Sequence, residues 1–237
     1  MSSMPLAAVL ATWLDATRAG DVGPDDLAAT VRGDAPRHLV SGLDTRGRTG
    51  DVLELVELPT ALDGPVSLAL PVPGDPVGLG GPAEFNLAAI DAGQAVVVGD
   101  VGLVPLEDAR TVVWHAFPAG PVPWVDERET AIELRTTLVE VTRRLVDLDV
   151  ASWQPDIPDL LMNLRHRPRL PLPPGYDARR VETIDRAVLC LDILALARTS
   201  EGGAVSAYEM DRRRDALGDL DRAARRALVG ACSGRSA

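Results

Sequence analysis

A long amphipathic helix is the feature of this sequence that most restricts its fold. From Ala131 to Leu148 the apolar residues recur at spacings of three and four, which predicts one apolar stripe along a helix of about six turns. Asp126 and Glu129 stand three residues apart just before this stripe, in the pattern of a capping box. A helix of this kind must cover its stripe with another element of secondary structure.

The same half of the chain carries signals for two further helices. Asp177 precedes a long apolar run, and Ser206 with Glu209 repeats the capping-box pattern. The short segment between these two predicted helices favours an antiparallel helical hairpin. We therefore expect a helical bundle or hairpin in the C-terminal half, residues 126–237.

The N-terminal half consists of short runs rich in valine and leucine, bounded by Gly, Pro or Asp, which are typical of strands. We predict strands at residues 51–58, 65–71, 94–100 and 111–117, and helices at residues 3–20, 23–33 and 83–93. Because strands and helices do not alternate regularly, the pattern favours an α+β fold with a small mixed or antiparallel sheet and flanking helices. The predicted division is an acidic α+β part at residues 1–125 and a helical part at residues 126–237, or one integrated domain.

The charge of the chain is uneven and restricts its chemistry. Residues 1–125 hold 16 acidic residues and 6 arginines, whereas residues 126–237 hold 19 and 18, which together give the net charge of −11. An acidic first half repels phosphates, so we predict no nucleic-acid partner. All 24 basic residues are arginine. The lack of lysine excludes the usual Walker P-loop, Schiff-base and protein-kinase mechanisms.

Several further features of the sequence indicate where the protein is located and whether it binds a metal or a cofactor. No apolar run approaches the roughly 20 residues needed to cross a bilayer, and no basic residue precedes the apolar N-terminal stretch, so neither a membrane span nor a signal peptide is expected. Cys190 and Cys232 make no disulfide framework. The three histidines are far apart in sequence, so no metal site is predicted, and no cofactor motif is convincing. A cytoplasmic location is expected.

The glycine- and proline-rich loop at residues 71–86 has two interpretations. Gly78, Gly80 and Ala83 match the pattern G-x-G-x-x-A of dinucleotide-binding turns, and Asp100 follows 20 residues after Gly80. However, Pro82 removes an N–H from the turn that would bind phosphate. A stiff connector is therefore favoured over a dinucleotide site. Such a connector would still line a pocket.

Two functions from different classes remain open. The first is a non-catalytic protein that binds a protein partner, or itself as a homodimer, through its helical half. A proline-rich stretch at residues 165–174 offers a polyproline-II pattern for such docking, with candidate residues Arg165, Arg167, Pro168 and Pro171. The second is an enzyme or sensor that holds a small ligand between the loop at residues 71–86 and the sheet. No catalytic residue is proposed, and the candidate ligand-binding residues are Asp75, Gly78, Gly80, Gly81, Asp100 and His115.

Overall fold

The computed structural model describes residues 4–33, 37–45, 48–49, 52–108, 110–147, 169–199 and 207–234. The α-helices are α1 (Leu6–Ala19), α2 (Pro24–Arg32), α3 (Leu58–Ala61), α4 (Ala83–Ala92), α5 (Glu127–Asp147), α6 (Ala178–Thr199) and α7 (Ala207–Cys232). The strands are β1 (Arg37–Ser41), β2 (Asp44–Thr45), β3 (Arg48–Thr49), β4 (Val66–Ala69), β5 (Ala95–Val98), β6 (Val101–Asp108) and β7 (Thr111–Pro118). A short 3₁₀ helix, Leu55–Glu57, precedes α3.

Five strands form one mixed sheet in the order β1-β7-β6-β5-β4. β1 runs parallel to β7, and the other neighbouring pairs are antiparallel. β2 and β3 form a separate antiparallel ribbon. This sheet, with helices concentrated in the C-terminal half, confirms the predicted α+β class.

The sheet is covered on both faces because successive side chains of a strand point to opposite sides. On one face Val96, Leu103 and Trp114 belong to a core that includes buried residues of α1, α2, α5, α6 and α7. On the other face Val97 and Val104 pack with Phe85 of α4. A Cβ atom at Gly102 would lie 2.3 Å from the Phe85 ring, so glycine at this position lets α4 approach the sheet closely.

The apolar stripe of α5 is covered within the chain. Ala131, Leu134 and Val141 are buried, Leu138 packs against the same core, and α5 contacts α7 along its length. Leu148 lies outside the described residues. The Asp126 carboxylate accepts a hydrogen bond from the Glu129 N–H at 2.8 Å, which confirms the predicted N-cap.

Both edges of the large sheet have backbone partners. At β4 the Leu68 N–H donates to the Ser233 Oγ at 3.1 Å, and the Gly234 N–H donates to the Val66 carbonyl at 2.7 Å. At β1, Val40 and Leu53 exchange two backbone hydrogen bonds of 2.9 Å each. Open edges attract strands from other chains, so these contacts make such pairing less favourable at the residues involved.

One predicted strand is wrong, and four strands were not predicted. Residues 55–61 are helical, with Leu55, Leu58 and Leu62 buried at spacings of three and four, which is a helical period rather than a strand period. β1, β2, β3 and β6 were missed, β6 because Pro105 is atypical of a strand. Pro105 lies beyond the last residue of β6 that pairs with β5, where the missing N–H is tolerated. The strands predicted at 65–71, 94–100 and 111–117 are confirmed.

Within the described part of the chain, no helix combines the length and the apolar composition that a bilayer crossing requires.

Candidate functional site

An open cleft of about 1440 Å³ lies where the helical half meets the sheet. Its walls come from β4 and the turn after β5, from the segment between β7 and α5, from the first turns of α5 and α6, and from the end of α7. These segments are far apart in sequence, so the cleft exists only in the folded chain. It is larger than a second cavity, which lies beside His38.

Arg180 fixes the helical wall of the cleft. Its guanidinium pairs with the Glu127 carboxylate at 2.8 Å and donates to the Ser233 carbonyl at 3.2 Å. Glu127 begins α5, Arg180 lies in the first turn of α6, and Ser233 follows α7. One side chain therefore joins the ends of all three helices.

The acidic side chains of the cleft are largely occupied within the protein. Asp126 caps α5, and Asp177 caps α6 by accepting hydrogen bonds from the Arg179 and Arg180 N–H groups at 2.9 and 3.1 Å. Glu127 pairs with Arg180, and Glu182 pairs with Arg186 at 2.7 Å. Among the acidic lining residues, Asp100 alone has a carboxylate without a hydrogen bond or ion pair to the residues that the structure describes.

The arginines of the cleft differ from these acids. Arg128, Arg135 and Arg179 line the cleft, are exposed and form no ion pair or side-chain hydrogen bond within the described ranges of the chain. The N-termini of α5 and α6 also lie at this cleft, where the Asp126 and Asp177 carboxylates already cap them. Three acids and three arginines of the cleft therefore have no ion pair with the described residues, and the two signs of charge are balanced.

Trp124 stands on the rim of the cleft with 74% of its surface exposed. The segment that carries it is held to the sheet and to the glycine-rich loop. The Ala119 N–H donates to the Asp100 carbonyl at 2.7 Å, and the Gly120 N–H donates to the Gly81 carbonyl at 2.8 Å. A Cβ atom at Gly80 would lie 2.0 Å from the Pro121 carbonyl oxygen, so only glycine permits this approach.

The glycine-rich loop is packed against its own domain. Gly78 has a φ of +84°, and a Cβ atom there would lie 2.6 Å from the Ala69 Cα. The Gly81 N–H donates to the Asn86 side-chain carbonyl at 3.0 Å, so this amide is already used. The loop therefore has the contacts of a connector, and its glycines serve close backbone packing.

Asp75 joins this loop to α7 through Arg225. The Arg225 guanidinium is 8% exposed and contacts the Asp75 carboxylate at 2.7 Å, the Asp221 carboxylate at 2.8 Å and the Leu70 carbonyl at 2.9 Å. A buried charge of this kind is tolerated because each of the three guanidinium nitrogens donates to an acceptor. Asp75 thus has a structural partner.

His115 lies at a different place in the sheet. Its Nδ1 is 3.2 Å from the Ser41 Oγ on the neighbouring strand. β7, which carries His115, is three strands away from β4, a separation of about 14 Å at the usual strand spacing. The structure does not bring the six predicted ligand-binding residues together, and of these six Asp100 alone lines the cleft.

The proline-rich stretch is described only in part. Arg165, Arg167 and Pro168 lie outside the described residues. The Pro171 carbonyl accepts a hydrogen bond from the Trp13 Nε1 of α1 at 2.7 Å, and the neighbouring Leu170 packs against the core. The end of this stretch is therefore attached to the N-terminal helix.

The second cavity, of about 270 Å³, lies beside His38. His38 is 5% exposed, and its Nδ1 accepts a hydrogen bond from the Trp114 Nε1 at 3.3 Å. Its Nε2 is buried and has no partner among the described residues. Burial lowers the pKa of His38 below its ordinary value, and the nearby positive charge of Arg32 acts in the same direction. No sequence pattern marked this histidine.

A tyrosine hydroxyl and a cysteine thiol, those of Tyr176 and Cys232, lie near the end of α7. The Tyr176 hydroxyl donates to the Ala231 carbonyl at 3.0 Å, and burial raises its pKa. Burial also raises the pKa of the Cys232 thiol, which keeps the sulfur protonated at neutral pH. Among the described residues no three His, Cys, Asp or Glu side chains are placed to hold a metal ion.

The fold and the cleft define an α+β protein in which a five-stranded mixed sheet and the helices α5, α6 and α7 border an open groove. Two family models match this chain, the N-terminal domain of Rv1486c-like protein at residues 7–127 and the C-terminal domain of Rv1486c-like protein at residues 128–229. The chain therefore belongs to the family of Rv1486c-like proteins.

Relatives of this chain occur in Mycobacterium tuberculosis. Uncharacterized protein Rv1486c and uncharacterized protein MT1533, from two strains of that organism, are each 34% identical to it over 120 residues. The match covers 40% of this chain and 42% of each relative, so less than half of either relative is represented. No solved structure matches this chain at a comparable level of significance.

Proposed function

We propose that this protein is a non-catalytic binding protein and that its cleft receives a segment of a protein partner. The observation that carries the proposal is Trp124, an indole 74% exposed on the rim of a concave surface, beside exposed arginines. Tryptophan and arginine are the residues most enriched among the side chains that dominate binding energy at protein interfaces.

The size of the cleft supports a chain segment as the occupant. Small-molecule pockets usually measure about 300–1000 Å³ and enclose most of the ligand. The cleft is larger, at about 1440 Å³, and it is open along one side. An extended segment can lie in such a groove with one side chain against Trp124.

The sheet edges and the apolar stripe of α5 restrict the ways in which a partner can bind. Because β1 and β4 already use some of their edge groups in hydrogen bonds within the chain, addition of a partner strand to the five-stranded sheet is disfavoured. Because α7 covers the stripe of α5, that stripe is not offered to a second molecule. The proposal therefore assigns recognition to side chains of the cleft.

The proposal places this binding in the cytoplasm and assigns it no nucleic-acid partner. The reasons are the net charge of −11, which disfavours phosphate contacts, and the presence of only two cysteines.

Site-specific crosslinking tests the proposal. A photoreactive phenylalanine analogue replaces Trp124 in one protein and Leu87 in a control protein, because Leu87 is 64% exposed on α4 and does not line the cleft. After irradiation in cells of the native host, we expect one protein to be joined to position 124 and not to position 87. Mass spectrometry identifies it.

A binding measurement with that protein completes the test. Trp124→Ala should weaken its affinity by at least about tenfold, because truncation of an interface anchor typically costs about 2 kcal/mol or more. Identical crosslinked products at both positions, or none at position 124, would contradict the proposed function.

A further inference from the structure

We infer that the small cavity beside His38 binds the carboxylate group of a short aliphatic acid. The cavity measures about 270 Å³ and lies between β1, the end of α2 and the 3₁₀ helix. It shares no lining residue with the cleft, so the inference goes beyond the proposed function and does not depend on it. Its basis is the unpaired Nε2 of a buried histidine.

The His38 ring directs a hydrogen-bond donor toward this cavity. Because Nδ1 accepts from the Trp114 indole at 3.3 Å, the neutral ring carries its proton on Nε2. Trp114 lies on β7, the inner neighbour of the edge strand β1, so Nε2 on the opposite side of the ring faces outward, toward the cavity that His38 lines. Nε2 has no partner among the described residues, and a buried donor of this kind normally has an acceptor.

The charges around the cavity favour a ligand with a single negative charge. Arg32, Arg37 and Glu54 line it, are exposed and form no ion pair with other described residues, so two positive groups and one negative group leave a net charge of +1. A guanidinium presents a planar fork of donors that matches the two oxygens of a carboxylate. Glu54 and the carbonyl end of α2, which ends at Arg32, oppose a doubly charged phosphate.

The walls and the size of the cavity indicate a short aliphatic chain on this carboxylate. The apolar part of the lining comes from Ala28, Leu39, Leu55 and Val56. The volume is below the roughly 300–1000 Å³ of pockets for drug-sized ligands. Because Nε2 of His38 is closed off from solvent, binding requires the exposed charged side chains of the wall to move, and no ion pair within the described residues holds them.

Titration of the full-length protein with butyrate tests the inference. Proton–nitrogen NMR spectra follow the three histidine rings, and His38→Gln identifies the signal of His38. We expect saturable binding with a Kd of about 1 mM or tighter, and a downfield shift of the His38 Nε2–H proton because it becomes hydrogen-bonded. Butyramide has the same size without the charge, and inorganic phosphate has charge without the chain, so each should bind at least about tenfold more weakly.

Arginine variants locate the binding. Arg32→Gln and Arg37→Gln together should weaken butyrate binding by about fivefold or more, as expected for the loss of two exposed charge contacts. Arg226→Gln is the matched control, because Arg226 is exposed on α7, has no described ion pair and does not line the cavity. Thermal unfolding followed by circular dichroism checks that the variants are folded.

The outcomes decide the inference separately from the proposed function. If butyrate leaves the His38 signal unchanged, or shifts it without saturation, the cavity holds only water and the inference is wrong. If butyramide or phosphate binds as tightly as butyrate, or if Arg226→Gln weakens butyrate binding as much as the double variant does, the assignment of a carboxylate to this cavity is wrong. None of these results changes the meaning of a protein crosslinked at position 124.

Discussion

His38 shows how the fold selects the protonation state of a single side chain. The Trp114 indole donates to Nδ1, so the neutral ring carries its proton on Nε2, which has no partner in the described part of the chain. Protonating Nδ1 would remove this hydrogen bond and place a charge in a buried position near Arg32 and Arg37, with Glu54 the acidic residue that lines the same cavity. The pKa of His38 is therefore lowered.

This lowered pKa predicts a loss of stability in mild acid. Below the ordinary value of 6.5 the unfolded chain takes up a proton on residue 38, whereas the folded chain takes it up only at lower pH. The contribution of His38 to the free energy of unfolding is therefore retained above pH 6.5 and is lost as the pH falls from 6.5 through the lowered pKa of the folded state.

Urea unfolding at several pH values measures this effect. His38→Gln keeps an acceptor for Trp114 but does not titrate, so the variant should lose less stability than the wild-type protein over the same pH range. Equal pH dependence in both proteins would show that His38 does not contribute to it.

At the scale of elements, the contact between the glycine-rich loop and α7 depends on one buried guanidinium. Arg225→Met removes the donor shared by Asp75, Asp221 and the Leu70 carbonyl and leaves two carboxylates in a largely buried place. We expect the free energy of unfolding to fall by about 3 kcal/mol, as is usual when one partner of a buried pair is lost.

A second variant separates the effect of an unpaired buried carboxylate on stability from the effect of lost packing. Asp221 keeps its ion pair with Arg198 at 2.9 Å, so Arg225→Met combined with Asp75→Asn removes the carboxylate that is left without an ion pair and should recover part of the stability in the same urea assay. If the double variant is no more stable than Arg225→Met, the loss comes from packing instead.

The sequence predicted those elements whose pattern is periodic and whose ends are marked by caps. α5 shows both signals, with its stripe from Ala131 and its cap at Asp126, and the structure has both. β6 shows neither, because Gly102 serves the packing of Phe85 and Pro105 lies beyond the paired part of β5. Those reasons are tertiary contacts, which local patterns do not contain.

The candidate site was much less predictable than the fold. The cleft joins residues 65–67, 97–100, 119–135, 177–183 and 229–234, and no short motif spans them. The sequence indicates Asp100 through its distance from Gly80, and Asp100 lines the cleft although the glycine-rich loop does not. Which charged side chains of the cleft lack an ion pair depends on helix ends that meet in three dimensions.

At the scale of the whole molecule, Ser233 and Gly234 cover part of the edge of β4. Deleting residues 233–237 would remove the partners of the Leu68 N–H and the Val66 carbonyl and expose the edge of β4. We expect concentration-dependent association of this variant, because open edges pair with each other.

Light scattering over a range of concentrations measures this association. A shorter deletion, of residues 235–237, keeps both contacts with β4 and is the matched control. If the longer deletion remains as monodisperse as the shorter one, the contacts of Ser233 and Gly234 are not what protects the edge.

The three-way contact of Arg180 has a consequence for the thermodynamics of recognition. This side chain links the starts of α5 and α6 to the residue after α7, so it holds together three segments that line the groove. For the partner segment proposed above, this preorganisation would place the entropic cost of complex formation mainly on the segment itself. A cyclised or proline-stiffened version of that segment should therefore bind more tightly than a flexible one with the same side chains.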